Sequence, residues 1–174
     1  MVQPVANLNI NHLGISVPDL DAAVAWYTTH LGFVQLRPHN RVKRGPPEAD
    51  VVDRGGLAIY GPELNEMRIA YLASGNIGIE LFQFISPAYS GPGKPNPFGT
   101  QHWVRGGCFH IALTHPDPEA LFAKLVEAGG EKIRETARLG RGIVALYIQD
   151  PWGIIWEICS RSFETFQMIE YVPE

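Results

Sequence analysis

Between Ile10 and Phe33 the chain reads INHLGISVPDLDAAVAWYTTHLGF. Leu13, Ile15 and Val17 alternate with His12, Gly14 and Ser16, the period-two pattern of a strand with one strongly apolar face. After Pro18 and Asp19 the period changes, and Leu20, Ala23, Val24, Tyr27 and Leu31 fall at helical spacing. Both patterns return from His110 in HIALTHPDPEALFAKLVEAGGE. There Ile111 and Leu113 oppose His110, Ala112 and Thr114, and Pro118, Leu121, Phe122, Leu125 and Gly129 take the helical places. At an offset of 98 positions the two stretches share six identities in 22 residues without a gap. A strand–turn–helix unit therefore occurs twice.

Asp19 and Asp117 stand where a helix start needs an acceptor for its free N–H groups, and both are read as structural caps. Gly32 and Gly130 are expected to stop the helices. Strand-like runs come next, at about 33–38, 56–60, 66–73 and from Ile77 in the first half. In the second half they lie at about 132–138, from Gly142 and from Ile154. Each half thus approximates βαβββ, and the expected class is α+β with two tandem modules. Module one covers about 8–86, a linker loop rich in Pro and Gly about 87–106, module two about 107–161, and a C-terminal extension 162–174. The basic, proline-rich HNRVKRGPPEAD from His39 reads as a solvated loop. In the linker, Tyr89, His102 and Trp103 either shape a pocket mouth or pack under the loop. His30, His39, His102 and His115 have no repeat partner in a strand and are expected at the surface. Phe163, Phe166 and Ile169 share one side of the extension if it is helical, to cover a pocket, meet a second subunit or pack on their own module.

Composition narrows the function classes. The chain has 174 residues, 45% hydrophobic and 18% charged, with a net charge of −4, as expected of a globular protein. It has no basic stripe, so nucleic acid is not an expected partner. No stretch is long and apolar enough for a membrane span, and the start lacks the charged-then-apolar signature of a secretory leader. Cys108 and Cys159 show no C-x-x-C spacing. The expected location is the cytoplasm.

The chemistry lies in two histidines and two glutamates. A lone histidine in a strand is most often structural. Here both His12 and His110 sit on the face lined by small residues, which leaves room beside each imidazole. Each half also ends in an apolar strand that carries one acid, Glu80 in GIELF and Glu157 in IWEIC. A carboxylate among such neighbours is costly to bury alone, and no basic residue lies in either run. Singly, each glutamate is either a paired structural acid or a ligand. Taken together, His12, Glu80, His110 and Glu157 repeat in order across two related halves. Two imidazoles and two carboxylates suit one divalent metal such as Zn, Ni, Mn, Co or Fe.

With these residues in view the sequence resembles the vicinal oxygen chelate superfamily, which includes glyoxalase I, epimerases, extradiol dioxygenases and bleomycin-resistance proteins. The resemblance runs from about Leu8 to Ser160. It rests on HLGISVPDLDAAVAWYTTHLGF, GIELF, FHIALTHPDPEALFAKLVEAGG and QDPWGIIWEI, the last with its Asp-Pro-x-Gly turn before a ligand strand. It implies paired βαβββ modules forming a cupped mixed sheet around a metal centre, often as a homodimer. The four-ligand set is similar to that of bacterial glyoxalase I. It implies an isomerase, epimerase or lyase that transfers a proton beside a carbonyl polarised by Ni, Zn, Co or Mn, with Glu80 or Glu157 as the base. The three-ligand pattern of the dioxygenases (His12, His110 and Glu157, with Fe(II)) is the first alternative, and Glu80 argues against it. A non-catalytic binding protein is the second. In glyoxalase I an Arg and an Asn for glutathione commonly come four residues after the first and second ligands. Here those positions hold Ser16 and Phe84, so a small apolar or aromatic substrate is expected instead, contacted by Ser16, Phe82, Phe84 and Trp103.

Overall fold

The computed structural model describes residues 8–45, 56–75, 77–139 and 142–168. The chain divides into two compact units, Met1–Gly91 and Pro92–Glu174. Each contains one mixed four-stranded sheet.

The first unit runs β1 (His12–Ser16), α1 (Leu20–His30), β2 (Val34–Lys43), a 3-10 turn (Gly56–Tyr60), β3 (Glu66–Ser74) and β4 (Ile77–Ser86). Its sheet order is β1-β4-β3-β2. β1 lies parallel to β4 and the remaining pairs are antiparallel. The alternation in β1 is realised as expected. Ile15 and Val17 are buried, and His12, Gly14 and Ser16 are all exposed. Asp19 caps α1 by accepting a 3.0 Å hydrogen bond from the Ala22 amide. α1 buries Leu20, Ala23, Trp26 and Tyr27; full burial of an aliphatic side chain such as Leu20 contributes about 2 kcal/mol. Leu57, Leu64, Met67 and Ile69 form a second core, with Tyr60, Phe82 and Phe84 packed on it.

Two expectations for this unit change. The segment 56–60 is a 3-10 turn, not a strand. Leu57 is fully buried, Tyr60 half-buried, and Ile59 82% exposed, an inward period of three rather than two. β2 also continues through His39 to Lys43, in place of the expected loop. It is one of the sheet's two edge strands and nearly all of it is exposed. Its Arg41 and Lys43 both pair with the buried Glu66 of β3, so the charges that read as loop are those of a guarded edge. The rest of the expected loop, 46–50, lies outside the described residues. Arg44 closes the excursion beyond β2: its guanidinium donates to the carbonyls of Leu57, Gly61 and Leu64, and its amide donates to the Asn65 carbonyl.

The second unit runs α2 (Thr100–Trp103), β5 (Ile111–Thr114), α3 (Pro118–Glu127), β6 (Glu131–Leu139), β7 (Ile143–Gln149), β8 (Ile155–Cys159) and α4 (Phe163–Met168). The sheet order β5-β8-β7-β6 repeats that of the first unit, again with the first pair parallel. Asp117 caps α3 through the Ala120 amide at 3.0 Å. The left-handed residue after α3 is Gly129 (φ 93°), not Gly130. Gly130 is needed for a different reason: a Cβ there would stand 2.7 Å from Ile148 Cδ1 and 2.9 Å from the Leu125 carbonyl.

β8 begins in a fixed turn. Asp150 is 2% exposed. One of its oxygens accepts from the Trp152 and Ile154 amides at 2.9 Å each, and the other from Trp156 Nε1 at 3.0 Å. This is the Asp-Pro-x-Gly motif, closed by Gly153 at φ 94°. A hydrogen-bonded buried carboxylate is tolerated where an unpaired one is not. The turn sends Trp156 into the core and leaves Glu157 on the other face. The C-terminal extension is helical over Phe163–Met168, and Ile169 lies outside the described residues. Among the described residues no helix is long and apolar enough to cross a membrane.

Candidate metal-binding pairs

In the first unit the residue paired with Glu80 across the parallel β1–β4 ladder is Gly14. His12 stands two positions earlier on β1, hence on the same face as Glu80. In the second unit Glu157 pairs with Ala112, and His110 again stands two positions earlier. A small residue, Gly14 or Ala112, stands directly opposite each glutamate and leaves the face open between the glutamate and the histidine. The result is two close pairs: His12 Nε2 to Glu80 Oε2 at 3.4 Å, and His110 Nε2 to Glu157 Oε2 at 3.2 Å. The glutamates are less enclosed than their apolar neighbours suggested, at 27% and 15% side-chain exposure. Burial alone therefore does not forbid their charge.

Approach is close at His12. A Cβ on Gly78, its direct β4 partner, would sit 3.0 Å from His12 Cβ and 3.3 Å from the Asn11 carbonyl. The Nδ1 of His12 is 2.7 Å from the Asn11 side-chain oxygen. An N–H there donates to Asn11 and leaves the Nε2 lone pair facing Glu80. Two lone-pair-bearing atoms at this spacing repel unless a proton or a cation lies between them. Donors that share one small divalent cation at about 2.1 Å each stand about 3.0–3.4 Å apart, so both pairs have the spacing and chemistry of two adjacent ligands. At the second pair His110 Nδ1 is buried without a hydrogen-bond partner among the described residues, and the ring packs against Phe109 and Tyr147. Among the described residues no group of three or more His, Cys, Asp or Glu side chains is placed to hold a metal ion; each unit offers one His–Glu pair.

Each glutamate has a tyrosine on its other flank. Tyr71 pairs with Glu80 across β3–β4, and Tyr147 pairs with Glu157 across β7–β8. Tyr71 carries the Arg37 guanidinium 3.9 Å above its ring. The Tyr147 phenol and the Cys159 thiol both stand near Glu157. Burial, then the charge of the Glu157 carboxylate and its acceptor oxygens, push the Tyr147 phenol far above its usual range. The same causes push the Cys159 thiol up to about 12, so both groups stay protonated at neutral pH beside the carboxylate. In the first unit burial raises the Tyr60 phenol, with the Glu80 charge as a smaller cause. Sequence reasoning missed these tyrosines. The one signal is their spacing: Tyr71 lies nine residues before Glu80, and Tyr147 ten before Glu157.

Both pairs border cavities. One, of about 160 Å³, is lined by His12, Glu80, Leu36 and Tyr71. The other, of about 200 Å³, is lined by His110, Glu157, Cys159, Arg161 and α4. Of the expected substrate contacts, Ser16 ends β1 and is exposed. Phe82 and Phe84 stack on each other at 6.1 Å and both meet Tyr60 edge-on. Trp103 is 44% exposed and packs on Phe98 at 5.1 Å. His39 stands on β2, where its Nε2 is 2.9 Å from the Arg68 guanidinium. His102 stacks on Phe98.

A family model described as "Glyoxalase/Bleomycin resistance protein/Dioxygenase superfamily" matches residues 9–158. Among solved structures, a glyoxalase family protein from Bacillus cereus is 19% identical with a TM-score of 0.68, over 91% of this chain and 97% of that one. One from Enterococcus faecalis is 24% identical with a TM-score of 0.52, over 87% and 96%. Glyoxalase I from Zea mays is 24% identical with a TM-score of 0.54, over 88% of this chain and 44% of that one. At these identities the likeness is one of fold. Sequence comparison with curated proteins gives no match.

Proposed function

The chain belongs to the glyoxalase/bleomycin resistance protein/dioxygenase superfamily, and from that premise we propose that it is a metal-dependent enzyme of glyoxalase type. It is an isomerase, epimerase or lyase that moves a proton on the carbon next to a carbonyl of a small apolar or aromatic substrate, without glutathione. His12, Glu80, His110 and Glu157 are the donors for one divalent metal ion. The observation that carries this reading is the repeated register, in which a His stands two residues before the small partner of a Glu in both units. Two structural His–Glu contacts arising independently have no reason to share that register, whereas a duplicated ligand pair does.

A divalent cation held by these donors supplies Lewis acidity to a carbonyl oxygen and so acidifies the neighbouring C–H. The chain's own groups do the rest. Glu157 or Glu80 accepts the proton and returns it. Tyr147, directly across the ladder from Glu157, and Cys159, two residues on along β8, flank this carboxylate with protonated groups. The aromatic groups around Phe82 and Phe84 favour an apolar substrate, and neither Ser16 nor Phe84 offers a charge to a peptide-like thiol.

The deciding experiment is elemental analysis of the full chain purified without chelator. About one Ni, Zn, Co or Mn per chain supports the reading and directs assays to proton exchange beside carbonyls. Iron, with oxygen uptake on catechols, favours ring cleavage instead. No metal after reconstitution refutes the donor assignment.

A further inference from the structure

The cavity beside His110 and Glu157 holds one cation that the reading above does not use. Arg161 lies four residues beyond Glu157, past the end of β8 at Cys159, and lines the same cavity. Its guanidinium makes one hydrogen bond to a described residue, from Nη1 to the neighbouring Ser160 carbonyl at 3.2 Å. Arg41, Arg68 and Arg138 are each held by a carboxylate. Among the described residues Arg161 has no such partner. A guanidinium carries five N–H donors in a planar fork that matches a carboxylate, so most of this fork faces solvent and the cavity. Phe163 and Phe166 of α4 line the cavity as well and supply an apolar wall. Phe163 is 75% exposed, so its ring is open to a ligand from solvent.

We propose that this cavity binds a flat, apolar carbonyl compound with a carboxylate at its far end, the anion on Arg161 and the ring against Phe163 and Phe166. The proposal rests on the function proposed above for the location of the reacting carbonyl, but the recognition of the anion is independent of metal. At about 200 Å³ the space is below the range for drug-sized ligands and suits roughly a dozen non-hydrogen atoms. An arene with a carbonyl on one side and a carboxylate on the other spans the two polar ends. A neutral compound of the same shape leaves the guanidinium with nothing but water.

The test compares 4-acetylbenzoate with its uncharged methyl ester, by isothermal titration calorimetry on the full chain at fixed ionic strength, with and without metal. The acid is expected to bind at least tenfold more tightly than the ester. Arg161→Met should remove that preference while leaving the ester's affinity within twofold, and Arg161→Lys should keep part of it. Equal binding of acid and ester to the natural protein overturns the proposal. So does a preference that survives Arg161→Met, or no binding of either compound at millimolar concentration. The arms separate the two readings. Acid preference in a protein that takes up no metal refutes the metal assignment alone, and a metal-loaded protein without acid preference refutes the ligand class alone.

Discussion

Tyr147 stands directly across the β7–β8 ladder from Glu157, whose charge helps to keep its phenol protonated. Tyr71 holds the same place opposite Glu80. Removing the hydroxyl from Tyr147 leaves the ring that packs on His110 but takes a protonated group away from the carboxylate's flank. Partners of this kind tune metal affinity by about 10- to 100-fold. Tyr147→Phe is therefore expected to weaken metal binding by about that factor in competition with a chromogenic chelator, with the far-ultraviolet circular dichroism unchanged. An unaltered affinity would show that the phenol only packs.

Glu157→Gln keeps the size of the side chain and its place opposite Tyr147. It should retain most of the folding stability, lose metal to chelator far more readily, and have no measurable proton exchange. Full activity in this variant would remove Glu157 from the mechanism.

Gly78→Ala tests the close approach at His12. The added methyl meets His12 Cβ and the Asn11 carbonyl, and such overpacking costs about 1–3 kcal/mol. The urea midpoint should fall accordingly, and the metal content of the purified variant should fall with it. Normal metal content would mean that β1 can shift without disturbing the ligand.

Asp150 ties three donors at the start of β8. Replacing it with Ala removes the acceptor of two part-buried amides and a buried indole N–H, at about 1–3 kcal/mol for each such bond lost. A loss of about 3 kcal/mol or more in urea unfolding is expected, together with a changed Trp fluorescence. A loss below about 1 kcal/mol would show that water replaces the carboxylate.

Asp21, in the first turn of α1, joins the helix to β3 through Arg68, with hydrogen bonds of 2.8 and 3.0 Å. The Arg68 hydrogen bond holds its carboxyl below the usual carboxylate range. Slight burial opposes this, while the charges of Arg68 and His39 assist. A lowered folded value stabilises the protein above the unfolded value, near about pH 4, and the gain is lost as pH falls through the folded value. Because Asp21 is 63% exposed, the effect at neutral pH is below about 1 kcal/mol. Asp21→Asn should therefore destabilise slightly at neutral pH and match the natural protein in strong acid, at about pH 2. A difference that persists in acid would contradict the linkage.

The residues legible in sequence are those with a local signature. The two caps, Asp19 and Asp117, each precede a run whose apolar positions change to helical spacing. His12 and His110 stand out because their strand faces are otherwise small. Glu80 and Glu157 stand out because charge is rare in such apolar runs. Tyr71 and Tyr147 have no such mark, since a tyrosine in a strand is ordinary. Only the register of antiparallel pairing puts each opposite a glutamate, and turns and bulges outside the strands set that register. The stretch 56–60 misleads for a related reason: five residues are too few to separate a period of two from one of three. The basic tail of β2 misleads because charge that protects an edge strand and charge that solvates a loop look alike until Glu66 is seen across the ladder.

Arg44 has a consequence for how this molecule can change. By clasping the carbonyls of Leu57, Gly61 and Leu64 it joins the point where the chain leaves the sheet to the stretch where it returns, so the two ends are held together whatever lies between them. The chain's return into β3 is thereby fastened by a side chain that leaves from the end of β2, and the start of β3 is held from two directions, by ladder and by guanidinium. Loosening one arginine would slacken the edge strand and the strand beside Glu80 together.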